Sequence, residues 1–293
     1  MKISIVTPSF NQGAYIERTI RSVLDQPHDQ LDYRVVDGGS QDSTLDILRR
    51  HEDHLIWSSE PDRGQASAVN RGILETDGEI IGWLNSDDVY VPECIPAVLE
   101  AFSSDAGIDV IYGNADHIDE EDQILEPYPV ENWNQDRLGE TCFICQPATF
   151  FRRRVIDRFG LLDESLVFCM DYEFWIRLAQ AGARFERLPM VLAGSRMYPS
   201  NKTMRYRRRV HLEVNHMLVR RLGHVPAPWI FSFAHAWADD YCPRQRRLPY
   251  VLLVALATWW ASLRWNKMIS PEVRQTTRDW LAGAYRRRVS RPR

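Results

Sequence analysis

Ile80-Ile81-Gly82-Trp83-Leu84-Asn85-Ser86-Asp87-Asp88 is an apolar run that ends on two adjacent carboxylates, with Val89-Tyr90-Val91-Pro92 directly after it. A short apolar run closed by turn residues reads as a buried strand of a parallel sheet. Open α/β sheets place their ligands beyond the carboxyl ends of such strands, so the two acids stand at a ligand-binding address. Neighbouring carboxylates repel, and keeping both ionised in a cleft needs an opposing charge, most simply a divalent metal with oxygen ligands. The competing reading is a solvated turn in which Asp87 or Asp88 caps a helix opened by Pro92.

Working outward, four more apolar runs end in polar or turn residues: Ile3 to Thr7, Tyr33 to Asp37, Leu55 to Ser59 and Asp109 to Tyr112. Between them Tyr15 to Asp25, Ser43 to Arg50, Gln65 to Leu74 and Pro92 to Phe102 space their apolar residues by three and four. Strand alternating with helix predicts βαβ units and a mostly parallel sheet flanked by helices, an α/β fold. After the first three strands come Thr7-Pro8-Ser9-Phe10-Asn11-Gln12-Gly13, Asp37-Gly38-Gly39-Ser40-Gln41-Asp42-Ser43 and Glu60-Pro61-Asp62-Arg63-Gly64-Gln65. Polar, glycine-rich loops converging on one sheet edge make a ligand site, although each alone is equally a tight turn or a helix cap. No Gly-x-Gly-x-x-Gly follows the first strand and no Gly-x4-Gly-Lys-Ser/Thr occurs, which disfavours a dinucleotide fold and a P-loop.

The loops taken together, Val36 to Thr44, Glu60 to Gln65 with Asn70-Arg71-Gly72, and Asn85 to Asp88, resemble glycosyltransferase family 2 of the Rossmann-like GT-A fold. The resemblance is tight over about the first 90 residues and looser to about residue 205. It implies a nucleotide-sugar-binding half over residues 1–112 and an acceptor-binding half of the same domain over 113–203, and the shift to a basic composition after that reads as a helical extension over 204–293. Carried across, Thr7, Pro8 and Ser9 line the nucleotide pocket, Asp37 accepts from a pyrimidine ring, and Asp62 and Arg63 flank base and ribose. Asp87 holds ribose or sugar, and Asn11, Gly38, Gly64, Gln65 and Asn70 complete the donor set. Asp88 ligates Mn²⁺ or Mg²⁺, which offsets the charge of a departing diphosphate.

In the acceptor half, Asp171 opens a helix-like stretch that continues through Phe174, Ile176 and Leu178. A carboxylate there is either a partner for the helix N-terminus or, as the resemblance implies, the base of an inverting transfer, with Glu173 as competitor. Trp175 is an acceptor platform or a core residue, and Gln146 matches a family position near the donor sugar. Tyr198 stands where relatives often carry His. A neutral phenol is a poor ligand for a hard cation, so Tyr198 is expected to hydrogen-bond phosphates while Arg196 or Lys202 supplies charge.

The net charge of −4 hides a division: 16 basic and 35 acidic residues through Met190, then 20 basic and five acidic from Val191. The back of the chain is therefore expected to face something anionic. Within it Leu248 to Leu263 runs 16 residues without a charge. That is short of a bilayer span, and it suits a helix packed on the domain or on a second copy in a homodimer, or an interfacial membrane helix. Arg286-Arg287-Arg288 and Arg291-Pro292-Arg293 fit the interfacial reading or a solvated tail, and no nucleic-acid-reading motif is present. Five irregularly spaced cysteines point to a reducing compartment, with Cys142 and Cys145 read as buried structure rather than a zinc half-site. The N-terminus reads as a first strand rather than a secretion signal, so the expected location is cytoplasmic, peripheral on the inner face of the plasma membrane.

These readings converge on transfer of a hexose or N-acetylhexosamine from a nucleoside diphosphate, uridine favoured, to a hydroxyl of a glycan or lipid-linked saccharide in polysaccharide biosynthesis. A sugar-phosphate nucleotidyltransferase and a non-catalytic glycan-binding module are the alternatives.

Overall fold

In a computed structural model of the chain, residues 1–27 and 30–289 are described, with backbone alone for 285–289. The fold divides into two compact units, residues 1–135 with 142–199, and residues 136–141 with 200–293. The division near residue 200 lies four residues before the boundary expected from composition. Of the terminal arginine clusters, Arg291-Pro292-Arg293 lies outside the described residues.

The first unit is built on a nine-stranded sheet. Strands β1 (Ile3–Ser9), β2 (Leu31–Asp37), β3 (Ile56–Ser59) and β4 (Ile80–Trp83) alternate with helices α1 (Ile16–Leu24), α2 (Thr44–Arg50) and α3 (Gln65–Leu74). Every residue of β1 and β4 is buried, as expected of central strands covered on both faces. The order β3-β2-β1-β4 is parallel throughout, with Ser9 opposite Asp37, Asp37 opposite Ser59, and Val6 opposite Trp83. Parallel pairing in this register leaves four carboxyl ends, and the four loops that follow them, at one edge.

Beyond β4 the sheet becomes mixed, where the sequence predicts mostly parallel pairing. β5 (Val89–Tyr90), α4 (Cys94–Ser104), β6 (Val110–Ile118), β7 (Ile124–Pro127), α5 (Gln135–Glu140), β8 (Thr149–Arg152), α6 (Arg154–Phe159), α7 (Met170–Gln180) and β9 (Phe185–Arg196) follow in order. β8 lies antiparallel between β4 and β6, whereas β6 and β9 pair in parallel. α4 starts at Cys94 rather than at Pro92, because Glu93 adopts a left-handed φ of 65°.

The second unit is helical: α8 (Lys202–Arg205), α9 (Arg207–Leu222), α10 (Ala227–Asp239), α11 (Arg247–Asn266) and α12 (Pro271–Val289). Gly223, in the left-handed region at φ 79°, ends α9 where the sequence breaks the helix. Ala234 and Ala238 of α10 pack with Tyr250, Val254 and Ala257 of α11 in its core.

Candidate active site

The loops after β1 and β2 are laced together through their own polar atoms. The Asn11 N–H donates to Ser40 Oγ at 2.7 Å, and the Gln41 N–H donates to Asn11 Oδ1 at 2.9 Å. Asp37 is fully buried and accepts four bonds, from the Gly39 and Ser40 N–H groups and from the Ser40 and Ser59 hydroxyls. A carboxylate has about four acceptor sites. Asp37 thus organises the loop, and accepting from a pyrimidine requires one of those hydroxyls to give way. Thr7, also buried, is linked through its hydroxyl to Tyr33, while Ser9 Oγ is a buried polar atom without a partner.

Gly38 permits the next loop to approach, since a Cβ there would lie 2.9 Å from Asp62 Oδ2. Asp62 is exposed and accepts from the Gly64 N–H, and Gly64 opens α3 at φ 119°, a conformation that suits glycine. Arg63 is mostly exposed and pairs with Glu164 at 2.8 Å. Asn70 is a correction to the expected donor set. It is buried, and its amide bonds Leu162 on both sides and Glu164, so it fastens the 162–164 loop to α3 instead of meeting a ligand.

After β4, Asn85 is the hub of the cluster and was not singled out by the sequence. Its Oδ1 accepts from Gln65 Nε2 at 2.7 Å and Trp83 Nε1 at 2.9 Å, and its Nδ2 donates to Gln146 Oε1 at 2.8 Å and Asp88 Oδ2 at 3.2 Å. Gln146 uses its own amide N–H on the Trp83 carbonyl, which makes it a brace for the strand end rather than a free acceptor contact. Position in an Asn-Ser-Asp-Asp run marks Asn85 as local, but nothing in the run reveals that three loops meet on it.

Asp88 is 4% exposed and accepts from the Arg196 backbone N–H at 2.8 Å, while Asp87 accepts from the Tyr198 hydroxyl at 2.8 Å. Burial pushes both carboxyls up, and the charge of Asp87 pushes Asp88 further; the Tyr198 hydrogen bond and Arg196 oppose this only in part. Such a pair fits a hard divalent ion, because a cation relieves both the desolvation and the repulsion. Among the described residues no three His, Cys, Asp or Glu side chains gather as a metal cluster, so Asp88 and Asp87 fit an ion that takes its other oxygens from ligand or water.

The expectation that Arg196 supplies charge to phosphates is overturned. Its side chain is fully buried, donating to the Asp87 carbonyl at 2.7 Å and the Asp119 carbonyl at 2.5 Å, pairing with Asp122, and lying over the Tyr15 ring. Arg196 holds the Asp87-Asp88 backbone in place. Arg196→Met leaves the Asp87 carbonyl without its donor, while Asp122 keeps Arg18, and is expected to cost about 1–3 kcal/mol in urea unfolding. Lys202 belongs to the second unit, where it opens α8.

Asp171 is half-buried in the first turn of α7. Its neighbours on that helix do not share a cleft. Trp175 is 1% exposed and packs edge-on against Phe151 of β8, which corrects its expected role as a platform. Glu173 is equally buried and accepts from Arg177 at 3.0 and 3.2 Å, while Arg177 reaches the carbonyls of Phe159 and Leu161. Glu173 is thereby a structural fastener, not an acceptor contact. Burial raises the Tyr128 hydroxyl and the Cys142 and Cys145 thiols, and the charge of Asp171 adds to the rise of each. Burial pushes the Cys145 thiol up first, and then the charges of Asp88 and of Asp171 push it further.

Parallel strand ends, laced glycine loops and a buried carboxylate pair make this edge of the sheet a ligand site. The chain belongs to glycosyl transferase family 2, which it matches over residues 4–160. It is 26% identical over 228 residues to chondroitin synthase of Escherichia coli, a match covering 75% of this chain and 33% of that protein. With an uncharacterized glycosyltransferase of Nostoc sp. it is 30% identical over 179 residues, covering 56% and 54%. The chain thus spans between a third and little more than half of these relatives' lengths. Among solved structures, Staphylococcus aureus TarS with UDP-GlcNAc superposes with a TM-score of 0.65 at 16% identity, covering 98% of this chain and 90% of that one. The mannosyltransferase PcManGT of Pyrobaculum calidifontis, with GDP-Man and Mn²⁺, superposes with a TM-score of 0.61 at 19% identity, covering 99% and 87%. At those identities the likeness is one of fold.

Proposed function

We propose that the chain transfers a hexose or N-acetylhexosamine from a nucleoside diphosphate, uridine being the favoured base, to a hydroxyl of a glycan or lipid-linked saccharide, inverting the anomeric carbon. The observation that carries this reading is the buried Asp87-Asp88 pair just past the carboxyl end of β4, held by the Arg196 N–H and the Tyr198 hydroxyl on the sheet edge that the loops after β1, β2 and β3 share. A transfer needs a leaving-group site and a base facing one sugar from opposite sides; the pair after β4 is read as the first, and Asp171 in the first turn of α7 as the second.

In this reading the loops holding Ser9, Gly38 and Asp62 receive the nucleotide, and the partnerless Ser9 hydroxyl is available to it. Asp88, with Asp87 beside it, would hold Mn²⁺ or Mg²⁺, which when bound neutralises the charge of the diphosphate. Asp171 takes the proton of the acceptor hydroxyl as that oxygen attacks the anomeric carbon. Tyr198, by donating to Asp87, fixes that carboxylate's orientation. A nucleotidyltransferase would need cations in the first loop to hold a triphosphate, and Phe10-Asn11-Gln12-Gly13 contains none. An odd number of irregularly spaced cysteines supports a cytoplasmic setting.

Screening nucleotide sugars by thermal shift, with and without Mn²⁺, tests the donor half. A donor at about 100 times its Kd stabilises the native state by about 2.7 kcal/mol, which moves the melting midpoint by several degrees. The expected result is a shift with a uridine diphosphate sugar that grows with Mn²⁺. Silence from every uridine, guanosine and thymidine diphosphate sugar overturns the reading.

A further inference from the structure

Helix α11 is apolar on two opposite sides. The inner side, with Tyr250, Val254, Ala257, Ala261 and Trp265, is buried in the second unit. The outer side carries Leu252, Leu256, Trp259, Trp260 and Leu263, which are 46, 63, 39, 55 and 53% exposed. At 100° per residue these five fall in one stripe about 100° wide and about 17 Å long. The tryptophans at its margins are held in place. The Trp259 indole N–H donates to Thr277 Oγ1 of α12 at 3.0 Å, and the Trp260 ring stacks on Phe233 of α10.

Charge brackets the stripe. Arg246 and Arg247 stand exposed before it, Arg264 and Lys267 after it, and α11 contains no acidic residue. Residues 200–293 carry 19 Lys or Arg against five Asp or Glu. The exposed apolar area is on the order of 600 Å², large for a monomer's surface yet below the about 800 Å² per partner of a standard interface. A second copy laid on the stripe would also bring one strongly basic unit against another. Among the described residues no helix is long and apolar enough to cross a membrane, and α11, with its inner side against protein, cannot be sheathed in lipid.

We infer that α11 lies along the surface of an anionic phospholipid bilayer. Leu252, Leu256, Trp260 and Leu263 dip into the boundary between headgroups and acyl chains, and Arg246, Arg264 and Lys267 meet the lipid phosphates. An apolar stripe alone would fit any greasy partner. Cations at both ends, tryptophans along the margins and a polar-free centre match the layering of a lipid interface. The inference stands apart from the donor chemistry.

The test is sedimentation of the full chain with vesicles of phosphatidylcholine containing roughly a third phosphatidylglycerol, against phosphatidylcholine alone. The wild type is expected to sediment with the anionic vesicles only. Leu256→Gln with Trp260→Gln, both at exposed positions, is expected to weaken partitioning at least about tenfold while leaving donor-induced thermal shifts unchanged. Brominated acyl chains are expected to quench wild-type tryptophan fluorescence, and less so in Trp260→Phe, a readout that does not depend on the double variant folding. Absence of wild-type sedimentation, equal sedimentation of the double variant, or a solution dimer that the double variant splits into monomers overturns the inference.

Discussion

Asp171→Asn is expected to lose about 10² to 10⁴ in turnover while binding the nucleotide sugar within about threefold of wild type. The split follows from where Asp171 sits. It opens α7, whereas the loops that would receive the nucleotide follow β1, β2 and β3. Asparagine has nearly the same shape and can still accept a hydrogen bond, but it cannot take a proton. Turnover is measured with the donor identified by thermal shift, using water or a saccharide hydroxyl as acceptor, and affinity by calorimetry on the same samples. Glu173→Gln is the contrast. Its carboxylate is buried on Arg177, so this change is expected to lower the melting midpoint by several degrees while the folded fraction keeps its turnover. Turnover of Asp171→Asn within tenfold of wild type would remove Asp171 as the base.

The donor edge was legible because parallel strands impose it. Once Ile3 to Thr7, Tyr33 to Asp37, Leu55 to Ser59 and the run before Asp87 read as parallel strands, their loops had to share an edge, whatever the strand order. What escaped the sequence depends on partners far along the chain. Arg196 reads as a free cation near a phosphate site, yet its partners Asp87, Asp119 and Asp122 lie 109, 77 and 74 residues away. Asn70 sits within a family motif, but its amide is committed to Leu162, 92 residues on. Trp175 was ambiguous for another reason. Most positions of α7 are buried, so periodicity could not separate a core face from a cleft face. β5 and β7 were not expected at all, since β5 is only two residues long and every residue of β7 is exposed, leaving no buried face for a pattern to mark.

Asp88→Asn is expected to abolish Mn²⁺-dependent stabilisation by the nucleotide sugar and to change how the metal-free protein responds to pH. Asp87 and Asp88 both have folded pKa values raised above 3.8, chiefly by burial and, at Asp88, next by the charge of Asp87. A raised carboxyl binds a proton more tightly folded than unfolded. Its contribution to stability is therefore complete below pH 3.8 and is lost as pH climbs through the raised value. Measured in chelator, the melting midpoint of wild type minus that of Asp88→Asn should fall with rising pH, by at most about 3–5 °C per pH unit. Taking the difference cancels groups that titrate alike in both proteins, such as His211, whose pKa burial lowers to about 4. With Mn²⁺ and nucleotide sugar present the dependence should reverse, because cation and proton compete for the same carboxylates: the stabilisation of wild type should grow from pH 5 to pH 8 and be absent from the variant. A variant that keeps the wild-type Mn²⁺ shift would place the cation elsewhere and leave the Asp87-Asp88 pair as a purely structural strand end.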